Sequence, residues 1–97
     1  MDELTYLNIL YDYYGELLND KQKDIFKLYY FDNLSLSEIS DNLNVSRNAV
    51  HKQVKSTELK LKEYESKLKL YEKGIKLNKI MDKIKDEKIK KELEELI

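Results

Sequence analysis

The chain has no cysteine, no proline and only two glycines, Gly15 and Gly74. Each shortage excludes something. Without cysteine there is no disulfide framework, the usual staple of a small secreted domain, so a cytoplasmic setting is expected. Without proline, nothing in the chain refuses helix, and the remainder, rich in lysine, glutamate, leucine and isoleucine, favours it. Long apolar runs are missing too. Near the start the longest uncharged stretch, Leu4 to Tyr11, is eight residues, against about 20 for a spanning helix. The opening Met1-Asp2-Glu3 is acidic, where a secretory signal is basic. Neither export nor membrane insertion is expected.

Reactive groups are as sparse. Enzymes converge acids, bases or nucleophiles in a pocket. Here there is one histidine, His51, and no glycine-rich phosphate loop. The carboxylates are spread along lysine-rich faces and read as solvated i,i+4 partners, Glu58 with Lys62 and Glu87 with Lys91. The sequence therefore predicts no enzyme, no catalytic residues and no cofactor. His51, with no second histidine or cysteine near it, predicts no metal site.

What is there is charge, and it is unevenly placed. The net charge is −1. Residues 1–45 hold three lysines against nine carboxylates, whereas residues 46–73 hold eight basic groups against four acidic ones. The positive segment opens at Arg47, the only arginine. Local charge sets the field at a contact surface; the total mostly sets solubility.

Periodicity gives the organisation. Leu4, Leu7, Leu10, Tyr11 and Tyr14 make one apolar face of a helix over 3–14. Tyr6, Tyr11, Tyr13 and Tyr14 read first as packing residues, with an aromatic platform for bases as the lesser alternative. A second helix begins at Asn19 or Asp20, carries Ile25, Leu28, Tyr29 and Phe31 or Phe26, and breaks at Asp32-Asn33. Ser35 and Glu38 form a capping box for a short third helix whose buried stripe is Leu36, Ile39 and Leu43. Val50, Val54, Thr57, Leu61, Tyr64, Leu68, Tyr71 and Ile75 then alternate at spacings of four and three, a heptad seam on a fourth helix expected over 47–72. Gly74 marks its C-cap or a bend. Leu77, Ile80, Met81 and Ile84 continue, and a slip in the pattern predicts a break near Lys85-Asp86, with Asp86 capping a last helix.

Residues 36–55, LSEISDNLNVSRNAVHKQVK, have the pattern of a helix-turn-helix. Ile39, Leu43, Val45, Val50 and Val54 are apolar where two crossing helices meet. Ser40 is small at the crossing, Asn44 stands at the left-handed turn position where glycine is usual, and Ser46 caps the second helix. If Val50 and Val54 face inward, Arg47, Asn48, His51, Lys52 and Lys55 face outward. Arginine can bridge guanine, asparagine adenine, and lysines can hold phosphates. Ser46 and the free N–H groups beside it add an anion contact.

The expected fold is all-α: a tri-helical helix-turn-helix head without a wing, then a long fourth helix and C-terminal helices. Residues 1–73 form the head with its long helix and 74–97 a tail, within one compact domain. The expected nucleic-acid-binding residues are Ser46, Arg47, Asn48, His51, Lys52 and Lys55, with DNA favoured over RNA. The other reading is a protein-interaction module whose acidic head docks a basic partner. The seam predicts a homodimer, or a tail folded back on the same chain.

Asn19-Asp20-Lys21-Gln22-Lys23, Leu28-Tyr29-Tyr30, LSLSEISDNLNVSRNAVHKQVK from Leu34, and LKLYEK from Leu68 to Lys73 together resemble the YlxM family of small bacterial proteins. The resemblance is close over residues 4–75 and loose in the tail. The helix-turn-helix part alone is similar to region 4 of sigma factors. The YlxM resemblance implies an all-α intracellular protein without catalytic residues. Genes of that family tend to lie beside those of the signal recognition particle, so it also implies a role in, or regulation of, that pathway and its components as partners.

Overall fold

The computed structural model describes residues 1–97 and is helical throughout, with no strand. Six α-helices follow in order: α1 Glu3–Tyr14, α2 Asp20–Phe26, α3 Leu36–Leu43, α4 Arg47–Leu68, α5 Leu70–Met81 and α6 Glu87–Glu94. No helix is long and apolar enough to cross a membrane.

Side chains set the boundaries. Asp2 caps α1 by accepting from the N–H of Thr5 at 2.7 Å. Asn19 and Gln22 form a reciprocal capping box on α2, and Ser35 and Glu38 form the one expected on α3. Asp86 accepts from the N–H groups of Lys88 and Ile89 and starts α6, where the slip in the pattern put a break. α2 runs on into a π-helical turn over Lys27–Phe31, which periodicity did not reveal. Asn33 then turns left-handed, with φ of 55°.

The core is divided in two along α4. Its first half lays Val50 and Val54 against Ile25 and Ile39, with Leu28, Leu34, Leu36 and Leu43 around them. Its second half lays Leu61 against Leu7, Leu10, Tyr14, Leu18 and Phe26. Each fully buried aliphatic side chain here contributes roughly 1.5–3 kcal/mol. Tyr30 touches both clusters. The tyrosines of α1 pack as core and boundary: Tyr11 stacks on Phe26 at 4.4 Å between ring centroids, and Tyr14 is fully buried. One expected member of the apolar faces stays outside, Leu4 on α1; of the two phenylalanines offered for the second helix, Phe26 is buried and Phe31 is exposed.

Two expectations fail in the C-terminal half. The fourth helix ends at Leu68 instead of residue 72, because Lys69 takes a left-handed conformation with φ of 57°. Gly74 is no cap. It lies inside α5, buried, where a Cβ would come within 2.8 Å of the Tyr13 hydroxyl. α5 therefore folds back beside α1. The seam is interrupted: Leu61 is buried, Tyr64 and Tyr71 are half-buried, and Leu68 and Ile75 are exposed. The molecule is elongated, 55 × 24 × 24 Å, with a radius of gyration of 17.1 Å, against about 13 Å for a compact domain of this size.

Charge pairing follows the i,i+4 expectation at Glu63–Lys67 and Glu72–Lys76, but not at the two pairs named from the sequence. Lys62 pairs with Glu3 on α1, not with Glu58. Glu58 lies 3.5 Å from Lys55 and accepts the Tyr30 hydroxyl at 2.5 Å. Glu87 and Lys91 form no ion pair. Nor are all carboxylates solvated, since Glu58 and Glu65 are 8% and 9% exposed.

Candidate nucleic-acid interface

The site begins with a turn of three residues. Asn44 is left-handed at φ 56°, ψ 45°, a conformation that asparagine tolerates better than most side chains. The Ser40 hydroxyl donates to the carbonyl of Val45 at 2.5 Å, and the Val45 N–H returns to the Ser40 carbonyl at 3.1 Å. Small Ser40 thus both permits the crossing and fastens the turn. Val45 departs from expectation. Its side chain is 41% exposed rather than clasped between the helices, and it edges a shallow apolar hollow with Ile25, Leu43 and Ala49.

Ser46 starts α4 by accepting from the N–H of Ala49 at 3.1 Å. The N–H groups of Arg47 and Asn48 find no acceptor in the protein. Helix starts of this kind attract anions through free donors and the helix dipole.

Burial of Val50 and Val54 fixes the rotation of α4. Ser46, Arg47, Asn48, His51, Lys52 and Lys55 are accordingly all exposed. At about 100° per residue, the five helical positions fall within an arc of about 140°. The structure therefore brings these five onto one face, with Ser46 at the start of the helix. Arg47 and Lys52 make no ion pair, whereas Lys55 is partly neutralised by Glu58.

The face extends beyond those residues. His51, Lys52 and Lys55 share a shallow depression with Ser56, Leu59, Lys60 and Glu63. Leu59 is 67% exposed, and the Lys60 ammonium sits 5.3 Å from the centre of the Tyr64 ring. Sequence reading missed Ser56 and Lys60, although both continue the four-residue steps from Lys52 and Ser56. The acidic head is partly spent: Asp2 and Glu38 are engaged in caps, and Glu3 and Glu16 in ion pairs.

A left-handed Asn44 turn between a capped α3 and a capped α4, with an exposed polar and basic face on α4, defines a helix-turn-helix protein. Comparison with known proteins agrees. The family UPF0122, described as "Putative helix-turn-helix protein, YlxM / p13 like", matches residues 1–97, and the chain belongs to that family. Its description is not that of an enzyme. The chain is 43% identical over 85 residues to a UPF0122 protein of Caldanaerobacter subterraneus, covering 88% of this chain and 73% of that protein. It is 38% identical over 84 residues to one from Thermoanaerobacter pseudethanolicus, covering 87% and 72%. One from Bacillus cereus is 44% identical over 61 residues, covering 63% and 56%.

Proposed function

We propose that the chain is a cytoplasmic nucleic-acid-binding regulatory or accessory protein, with duplex DNA favoured over RNA. The observation that carries this reading is the single exposed face of α4 bearing Arg47, Asn48, His51, Lys52 and Lys55. Arg47 and Asn48 stand where base edges are read, and Lys52 and Lys55 where phosphates are held. Free N–H groups at the helix start add an anion contact. The YlxM resemblance supports action in, or regulation of, the signal recognition particle pathway. The heptad spacing and the exposed Leu68, Ile75 and Ile80 support a homodimer through α4 and the C-terminal helices.

Binding measured by fluorescence anisotropy against duplex DNA and against the particle's RNA, over a range of salt, tests the reading. Roughly four neutralised phosphates give a log–log salt slope near −4 per protomer on duplex DNA. Arg47→Ala with Lys52→Ala should weaken binding: the loss of Lys52 acts on every sequence and flattens the slope by about one, and the loss of Arg47 acts most on the sequence it reads. Binding that ignores salt, or that survives this double substitution, would sink the proposal. A stronger, equally salt-dependent response to the RNA would reverse the order of the two targets.

A further inference from the structure

The α4–α5 junction contains a contradiction. The spacing from Val50 to Ile75 is that of one unbroken helix, and no glycine or proline stands at the break. Yet Lys69 is left-handed, a conformation that costs any residue with a Cβ.

The break is held by two buried side chains. Glu65 accepts the Tyr14 hydroxyl at 2.5 Å and the N–H groups of Tyr71 and Glu72, each at 3.1 Å. The Tyr14 hydroxyl in turn accepts the N–H of Leu70 at 3.0 Å. Three orphan donors at the start of α5 are thereby satisfied. The helical bonds on either side are already in place: Lys69 N–H to the Glu65 carbonyl at 2.9 Å and Lys73 N–H to the Lys69 carbonyl at 2.8 Å. Straightening exchanges only three bonds, because the carbonyls of Ser66, Lys67 and Leu68 would take the same three N–H groups in a continuous helix. Both arrangements satisfy the backbone.

We propose that Lys69 is a hinge and that the α5–α6 arm exchanges between two copies of this chain. Straightened, the arm leaves its own α1 and lies on the α1 of a second copy. The partner is a second copy because the surface the arm covers, Tyr6 and Tyr13 packed on Tyr71 and Tyr13 over Gly74, recurs only there. Apart from the three bonds exchanged at the hinge, the arm's contacts with α1 recur between the two copies. Lys69 sheds its left-handed conformation, and Leu68 and Ile75 fall into line with Leu61 and Tyr64. This inference rests on the homodimer reading and specifies its geometry.

The absence of native cysteine allows a direct test. Tyr13→Cys with Gly74→Cys, bridged by a flexible bismaleimide, joins α1 to α5 across the contact that the arm makes. Arm exchange gives covalent dimers on a denaturing gel when the protein is concentrated; a folded-back arm gives linked monomers. Sedimentation equilibrium on the full-length chain runs beside it. Lys69→Gly, which suits the bend and weakens the straight helix, should raise the dimer dissociation constant on the order of 100-fold, counting two hinges. Tyr14→Phe with Glu65→Leu should lower it. Helix content by circular dichroism identifies any variant that fails to fold, and Lys69→Gly decides alone if the double variant does. A dimer whose crosslinks stay within one chain, and which Lys69→Gly leaves unchanged, overturns arm exchange while leaving dimerisation standing. A monomer at every concentration overturns both.

Discussion

At the scale of single residues, two tyrosine–carboxylate pairs hold α4 to the rest of the protein. Tyr14 donates to Glu65 and Tyr30 donates to Glu58. Both hydroxyls are pushed above the usual phenol range, first by burial and then by the carboxylate each faces; for Tyr14 the value reaches about 12. An unfolded tyrosine titrates near 10. The neutral phenol therefore contributes stability that is complete below about pH 10 and is lost as pH rises toward 12. Lys62, raised by its bond to Glu3, acts in the same direction, more weakly because it is exposed. Urea unfolding at pH 8, 10 and 11 should show stability falling over the upper interval. Tyr14→Phe should cost about 1–3 kcal/mol at pH 8, since it leaves buried Glu65 and the Leu70 N–H short of a partner. It should also make the alkaline fall shallower, with Tyr30 supplying what remains. Parallel losses in variant and parent would show that Tyr14 is not the titrating group.

At the scale of elements, the turn between α3 and α4 is the feature that decides the fold. Asn44 carries its left-handed conformation with a Cβ in place. Asn44→Gly should stabilise the protein by up to about 1 kcal/mol, whereas Asn44→Val should destabilise it by more than that. Denaturant midpoints compare the two, and a gain from valine would mean that the turn is not fixed as described. This turn was legible because its signals are local: caps at Ser35 and Ser46, small Ser40, and Ile39 and Val50 at helical spacing. The outward set from Arg47 to Lys55 was legible for the same reason, since burial of two valines fixes a helix face. The end of α4 was not. Lys69 bends because Glu65 meets Tyr14, 51 positions away in the chain, and no local pattern announces such a pair. Glu65 sits among lysines and reads as surface. Gly74 misled in the opposite sense: a mid-helix glycine reads as a stop, whereas its bareness here lets Tyr13 lie close. Val45 was read as buried from its type, but the turn carries it outward.

At the scale of the whole molecule, a basic α4 is attached to an acidic head. Of the nine carboxylates in residues 1–45, four are engaged in caps or ion pairs. The other five, Asp12, Asp20, Asp24, Asp32 and Asp41, are exposed and unpaired. Their field opposes the approach of phosphate at any point within a Debye length, about 10 Å at 0.1 M salt and 3 Å at 1 M. Asp24 borders the apolar hollow beside Ala49 and Val50 on α4, and Asp41 lies on α3, three residues before Asn44. Both sit on helices that pack against α4. On the nucleic-acid reading, Asp24→Asn with Asp41→Asn should therefore tighten binding several-fold at low salt without touching the contacts of Arg47 or Lys52. The gain should shrink steadily as salt rises, because it comes from through-space repulsion rather than from a bond. Unequal gains on different sequences would point instead to an altered contact surface. Anisotropy titrations of the double variant on two unrelated duplexes, from low to high salt, separate the two outcomes. A uniform gain that fades with salt would mean that the acidic head limits affinity and leaves discrimination to the α4 face. No change at low salt would place phosphate beyond reach of that field, and with it the proposed docking of α4.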